Sequence, residues 1–192
     1  MRAWLWLSCT LGLLACSSDP SGPGQAADDA GVAEPDAGTG SVDDGGICTS
    51  CDACEQHLPV TSAFHRTAPI DYPDLPPAGG DHDACWTTFG VHASEVPDER
   101  WVHNLEHGAV VFLHNCPDGC ADERRELEGM AEGRPFALVV PYARLPTRFA
   151  VVAWGHRLLS DCLDADAFAA FYTDHVNQAP ESTSSAPPSS CP

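Results

Sequence analysis

The sequence contains no lysine, so all 9 of its basic side chains are arginines, set against 28 acidic ones. At a formal net charge of −19 the chain repels nucleic acid and anionic lipid headgroups, and it tolerates or attracts cations. Methionine is nearly absent: of 2 residues, one is Met1 and the other is Met130. A methionine-rich copper(I) carrier is therefore excluded. The apolar run after Arg2 stops at Cys16, too short to span a bilayer. Residues 17–46 contain no aromatic side chain, so they cannot anchor a core. No internal repeat is visible.

What stands at the N-terminus is a basic start, a short apolar core and "LLAC". That is a secretory signal whose end resembles the lipobox of bacterial lipoproteins. The expected organisation is a signal peptide over 1–15, cleaved before Cys16, which becomes the lipidated first residue. Ser17 follows with no aspartate, which favours the outer membrane. A membrane attached through the lipid and a metal ion are the expected partners, in the cell envelope, and no nucleic acid. Residues 16–46 are small, acidic and rich in Gly and Pro, and read as a tether. One globular domain is expected over 47–181, followed by a disordered tail over 182–192. Loss of the signal removes Arg2 and no acid, leaving 8 basic against 28 acidic residues, net −20.

Of 10 cysteines, Cys9 leaves with the signal and Cys16 is acylated. The other eight are Cys48, Cys51, Cys54, Cys85, Cys116, Cys120, Cys162 and Cys191. In an exported chain an even set suggests disulfides, with connectivity unreadable. "CTSCDACEQH" places Cys48, Cys51, Cys54 and His57 at C-x2-C-x2-C-x2-H. In a cytosolic protein that would be a metal set, and a C-x2-C redox pair is a third option.

The domain reads as α+β: a small mixed sheet with a few helices and a long ordered loop region rich in Pro and Gly, stapled by disulfides. A short helix is expected over 98–107, closed by Gly108, then a strand over 109–114. "CPDGC" is a tight turn. A helix follows over 121–133, strands over 136–142 and 148–155, and a helix over 164–178. That strand–helix–strand–strand–helix order is compatible with a thioredoxin-like half. Residues 55–97 read as loops.

Of 9 histidines, seven fall between 57 and 114. In "WVHNLEHGAVVFLH", His103 and His107 are one helical turn apart, with Glu106 close to the same face. Two loop histidines can converge on them. His82 follows Pro76, Pro77, Gly79 and Gly80, which stiffen the chain and allow a sharp turn, and His65 lies upstream. The expected ligands are His65, His82, His103 and His107, with Glu106 as ligand or as partner of a ligand's ring N–H. Such an imidazole set suits zinc or copper(II). His156 and His175 read as surface or core polar residues, and Trp154 as core.

"HRTAPIDYPDLPPAGGDH", "VPDERWVHNLEHGAVVFLH" and "AVVAWG" together resemble the bacterial family called domain of unknown function 3105. The resemblance covers roughly 65–181 and carries over His65, Tyr72, Pro76, Pro77, Gly80, His82, His103, Glu106, His107, Gly108, Trp154 and Gly155. The chain departs from the pattern at Gly79, where serine is frequent, and at His114, where an aromatic is usual. The resemblance implies a membrane anchor and no particular activity.

Two readings stand beside the metal-binding one. H-x-x-E-H is also the pattern of a zinc hydrolase, with Glu106 as base and no other catalytic residue assigned. That needs a continuous helix and a third ligand from a later helix, for which Glu126, Glu128 and Glu132 are the nearby candidates. Gly108 and a strand follow instead. The other alternative is a disulfide-stapled interaction module without metal.

Overall fold

The computed structural model describes residue 51 and residues 53–117 and 119–188. The signal segment, Cys16, the tether, Cys48 and Cys191 lie outside them. The elements in chain order are β1 (Cys54–His57), β2 (His65–Arg66), β3 (His82–Asp83), β4 (Gly90–Val91), α1 (Asp98–Glu106) and β5 (Val110–His114). They continue with α2 (Ala121–Ala131), β6 (Ala137–Pro141), β7 (Phe149–Ala153), β8 (His156–Ser160) and α3 (Ala165–His175). Six strands make one mixed sheet in the order β1-β8-β7-β5-β6-β4, and β2 pairs with β3 in a second, two-stranded parallel sheet.

The apolar runs of the central strands follow from burial on both faces. Val111 and Leu113 of β5 join Leu138, Val140, Ala150 and Val152 under Trp101, Val102 and Leu105 of α1. Their neighbours Val110 and Phe112 point the other way, with Val139, Phe149 and Val151, onto Leu127 of α2 and Phe168 and Phe171 of α3. The sheet therefore has α1 on one face and α2 and α3 on the other.

The predicted helices and strands after residue 97 are present with small shifts of their ends. Asp164 caps α3, its carboxylate accepting from the Ala167 N–H at 3.0 Å. Two expectations need correction. The strand assigned to 148–155 stops at Ala153, because Trp154 and Gly155 (φ 78°) form a two-residue hairpin turn. A further strand, β8, follows; its "HRLLS" opens on two polar residues and carries no β-branched side chain, so it gives little strand signal. The region 55–97 is mostly loop, yet it supplies both edge strands of the main sheet, β1 and β4.

Cys51 is bonded to Cys162 across 111 residues, and Cys116 to Cys120 across the turn before α2. Cys54 and Cys85 are also disulfide-bonded. Cys51 therefore makes no redox pair with Cys54 or with Cys48. The first bridge ties the start of β1 to the loop after β8.

Candidate metal centre

Two local devices bring four side chains to one place. The β2–β3 pairing sets His65 opposite His82 in register. On α1, His103 and Glu106 are three residues apart, so they share a helix face. Donor atoms of His65, His82, His103 and Glu106 all lie within 4.8 Å of one another. The ring centroids of His65, His82 and His103 are 4.6–5.1 Å apart.

The loop before His82 is held at several points. Pro76 O accepts from the Arg157 guanidinium at 3.1 Å, and Ala78 O from the Gly155 N–H at 2.6 Å. Tyr72 donates its hydroxyl to Asp81 O at 2.7 Å. Gly79 (φ 142°) passes so close that a Cβ there would sit 2.7 Å from Val60 and 3.3 Å from Trp154. Upstream, the Asp81 carboxylate accepts from Ser62 Oγ at 2.5 Å, Phe64 N at 3.0 Å and Arg66 Nε at 2.6 Å. Those donors, Ser62 first, hold its carboxyl at about 2. The segment that carries His65 is thereby fixed against the residue preceding His82.

The hydrogen bonds assign the imidazole tautomers. A backbone carbonyl can only accept, so a ring nitrogen bonded to one must carry the proton. His82 Nδ1 lies 2.8 Å from Gly80 O, and His103 Nδ1 lies 2.7 Å from Asp83 O. In each neutral ring Nε2 is then an unprotonated lone pair. His82 Nε2 is 3.1 Å from the Glu106 carboxylate, but it makes no hydrogen bond of acceptable geometry. A ring nitrogen and a carboxylate face each other without a well-formed hydrogen bond where water does not reach: His82 is 0% exposed, His103 2% and Glu106 4%. A cation between them satisfies both. Ring N–H groups fixed on backbone carbonyls, with the other nitrogens turned inward, are the usual support of metal-bound histidines. Burial, and after it the neighbouring His82 ring, hold His103 at about 4, against the raising effect of its bond to Asp83 O. At neutral pH His103 is uncharged, the form that ligates.

His107 stands beside this set. It is the residue after α1, and its Nε2 lies 3.0 Å from His103 Nε2. Its Nδ1 is 3.1 Å from Glu181 O, so its ring spans from that carbonyl to His103 Nε2. It is not one of the four whose donors are mutually within 4.8 Å. Trp86 covers His103 and His107 with its ring edge-on to both at 4.9 Å, and its indole N–H donates to Pro188 O at 2.5 Å. The chain after α3 closes the same side, with Glu181 N donating to Glu106 O and Asn177 N to Gly108 O. His65, by contrast, is exposed.

The sequence gives no sign of Trp86 as a cover, nor of Gly80, Asp83 and Glu181 as the carbonyls that orient the rings. Backbone acceptors carry no residue-type signal. His114 points to the α2–α3 face, away from the site, where burial lowers its pKa. His92 is half-buried, its Nε2 2.8 Å from Thr88 O. The glutamates of 126–132 lie on or just after α2, which packs on the far face of the sheet.

A family model described as "Protein of unknown function (DUF3105)" matches residues 64–188, a span that contains His65, His82, His103, Glu106 and His107. No curated protein and no solved structure matches the chain.

Proposed function

We propose, for a chain that belongs to the DUF3105 family, that the domain binds one transition-metal ion through His65, His82, His103 and Glu106. The observation that carries this reading is the pair of buried imidazoles, His82 and His103. Each holds its Nδ1 on a backbone carbonyl; His82 Nε2 then faces the buried Glu106 carboxylate without a hydrogen bond, and His103 Nε2 meets His107 Nε2, with donors of His65, His82, His103 and Glu106 mutually within 4.8 Å. Three imidazoles and one carboxylate suit zinc or copper(II). Zinc–imidazole bonds of about 2.0–2.1 Å place neighbouring donors about 3–4 Å apart. The His82–Glu106 contact at 3.1 Å already meets that spacing, and the set as a whole needs a small contraction from its 4.8 Å limit.

Four protein donors fill a tetrahedral shell, which is the arrangement of a holding site rather than a catalytic one. Glu106 faces His82 as a fourth donor, whereas a hydrolase of the H-x-x-E-H type uses that glutamate as a base. We read the protein as lipid-anchored at Cys16 in the cell envelope, with the acidic tether carrying the domain away from the membrane. The "LLAC" ending of the apolar run supports this. The test is metal analysis of the exported protein with its disulfides intact, after dialysis against zinc or copper(II). Wild type should retain stoichiometric metal and His103→Ala should lose this ion. Equal uptake by the two proteins would refute the reading.

A further inference from the structure

A second constellation lies on the other face of the sheet. β1 pairs with β8 so that Glu55 is opposite Leu158 and His57 opposite His156. Leu158 packs in the core under α2 and α3, which places Glu55, His57 and His156 on that same face. His175, in the last turn of α3, comes down onto them: its ring centroid is 4.3 Å from that of His156. Glu55 Oε1 lies 2.9 Å from His175 Nε2 and 3.3 Å from His156 Nδ1. The three donor atoms are mutually within 4.8 Å. The His57 ring packs on His156 at 4.8 Å between centroids.

We propose that Glu55, His156 and His175 form a second binding site for a divalent transition-metal ion, distinct from the α1 site and more open to solvent. The geometry repeats the feature that marks the first. His156 Nδ1 is buried and stands at ion-pair distance from a carboxylate, yet makes no hydrogen bond of acceptable geometry. One carboxylate oxygen is shared by two imidazole nitrogens. A simple structural hydrogen bond accounts for the His175 contact but leaves His156 Nδ1 with only a longer, poorly aligned contact to the same carboxylate oxygen. An ion between the three satisfies them all. Three protein donors leave coordination positions for water, as in open sites. Side-chain exposures of 45% for Glu55, 31% for His156 and 16% for His175 give solvent a route in. The ion held here is therefore exchangeable, while three of the four donors of the α1 site are buried. The Cys51–Cys162 bridge lies beside the β1–β8 pair and keeps Glu55 in register with the two histidines. Glu55 precedes the segment matched by the family model, so this site depends on the chain's own N-terminal strand.

The test uses the full exported chain with zinc ions alone as probe, measuring bound zinc by equilibrium dialysis over rising free zinc. Wild type should bind two ions per chain, the weaker of which a mild chelator removes first. Glu55→Gln and His175→Gln should each lose the weaker ion and keep the tighter one, with near-ultraviolet circular dichroism unchanged. His103→Ala should show the converse, and that arm separates this site from the first. A single wild-type ion that Glu55→Gln loses and His103→Ala keeps would support this site and refute the α1 site. Unchanged stoichiometry and affinity in both Glu55→Gln and His175→Gln would overturn the second site, whatever His103→Ala does.

Discussion

Glu106→Gln separates a metal ligand from a structural carboxylate. Glutamine keeps the size of the side chain and removes the charge, in a residue that is 4% exposed and 3.1 Å from His82 Nε2. An ion bound only by the folded state stabilises it by RT ln(1 + [L]/Kd), which is about 2.7 kcal/mol at free metal 100-fold above Kd. For a domain of this size each 1 kcal/mol moves the melting temperature by roughly 3–5 °C, so zinc should raise the wild-type midpoint by roughly 10 °C. Loss of the single anionic donor is expected to weaken binding by at least the ~10–100-fold that follows loss of a mere supporting partner. A 100-fold weaker site at the same free zinc gains only about 0.4 kcal/mol, a shift of roughly 1–2 °C. The assay is thermal unfolding of wild type and Glu106→Gln, disulfides intact, each with zinc and with chelator. Placing both proteins on the Glu55→Gln background keeps the second site from contributing. A zinc-induced shift in Glu106→Gln equal to that of wild type would refute the assignment of Glu106 as a ligand.

Gly108→Ala should destabilise the domain by about 1–3 kcal/mol through backbone strain alone. Gly108 has φ 90°, and a Cβ would meet the Asn177 Cα at 2.7 Å. Chemical denaturation measures the loss, and a midpoint within error of wild type would contradict the packing described. Asp81→Asn should weaken zinc binding by about tenfold, because Asp81 fixes the segment bearing His65 by accepting from Ser62, Phe64 and Arg66. Competition with a chromogenic chelator reads that change, and unaltered affinity would remove Asp81 from the support of the site. Palmitate labelling should mark wild type and miss Cys16→Ser; equal labelling of both would end the lipid-anchor proposal.

The sequence made the site legible where residue type and spacing carry the chemistry. His103 and Glu106 fall one turn apart on a helix closed by Gly108, and the Pro-Pro and Gly-Gly pairs foretell a rigid turn before His82. What it concealed were contacts made by elements far apart in the chain. The His65–His82 bridge pairs two strands too short for any periodic signal. His107 caps the helix and stays beside His103, as the H-x-x-E-H spacing suggests, yet it falls outside the four-donor set. β8 was hidden because its turn residues read as the end of the preceding strand. With β8 unread, His156 had no visible neighbour in His57 or Glu55, and the Glu55–His156–His175 cluster depends on that pairing. Alternating burial on the two faces of the central strands was readable only as continuous apolar runs, which marked them as strands but not which helix covers which face.

The most direct test of the central claim is an anomalous-difference map, recorded at the metal edge, from crystals of the zinc- or copper(II)-loaded protein. A peak is expected, bonded at about 2.0–2.2 Å to ring nitrogens of His65, His82 and His103, with Nε2 as the donor of the latter two, and to a carboxylate oxygen of Glu106. Loaded crystals with no anomalous density between these four side chains would contradict the claim.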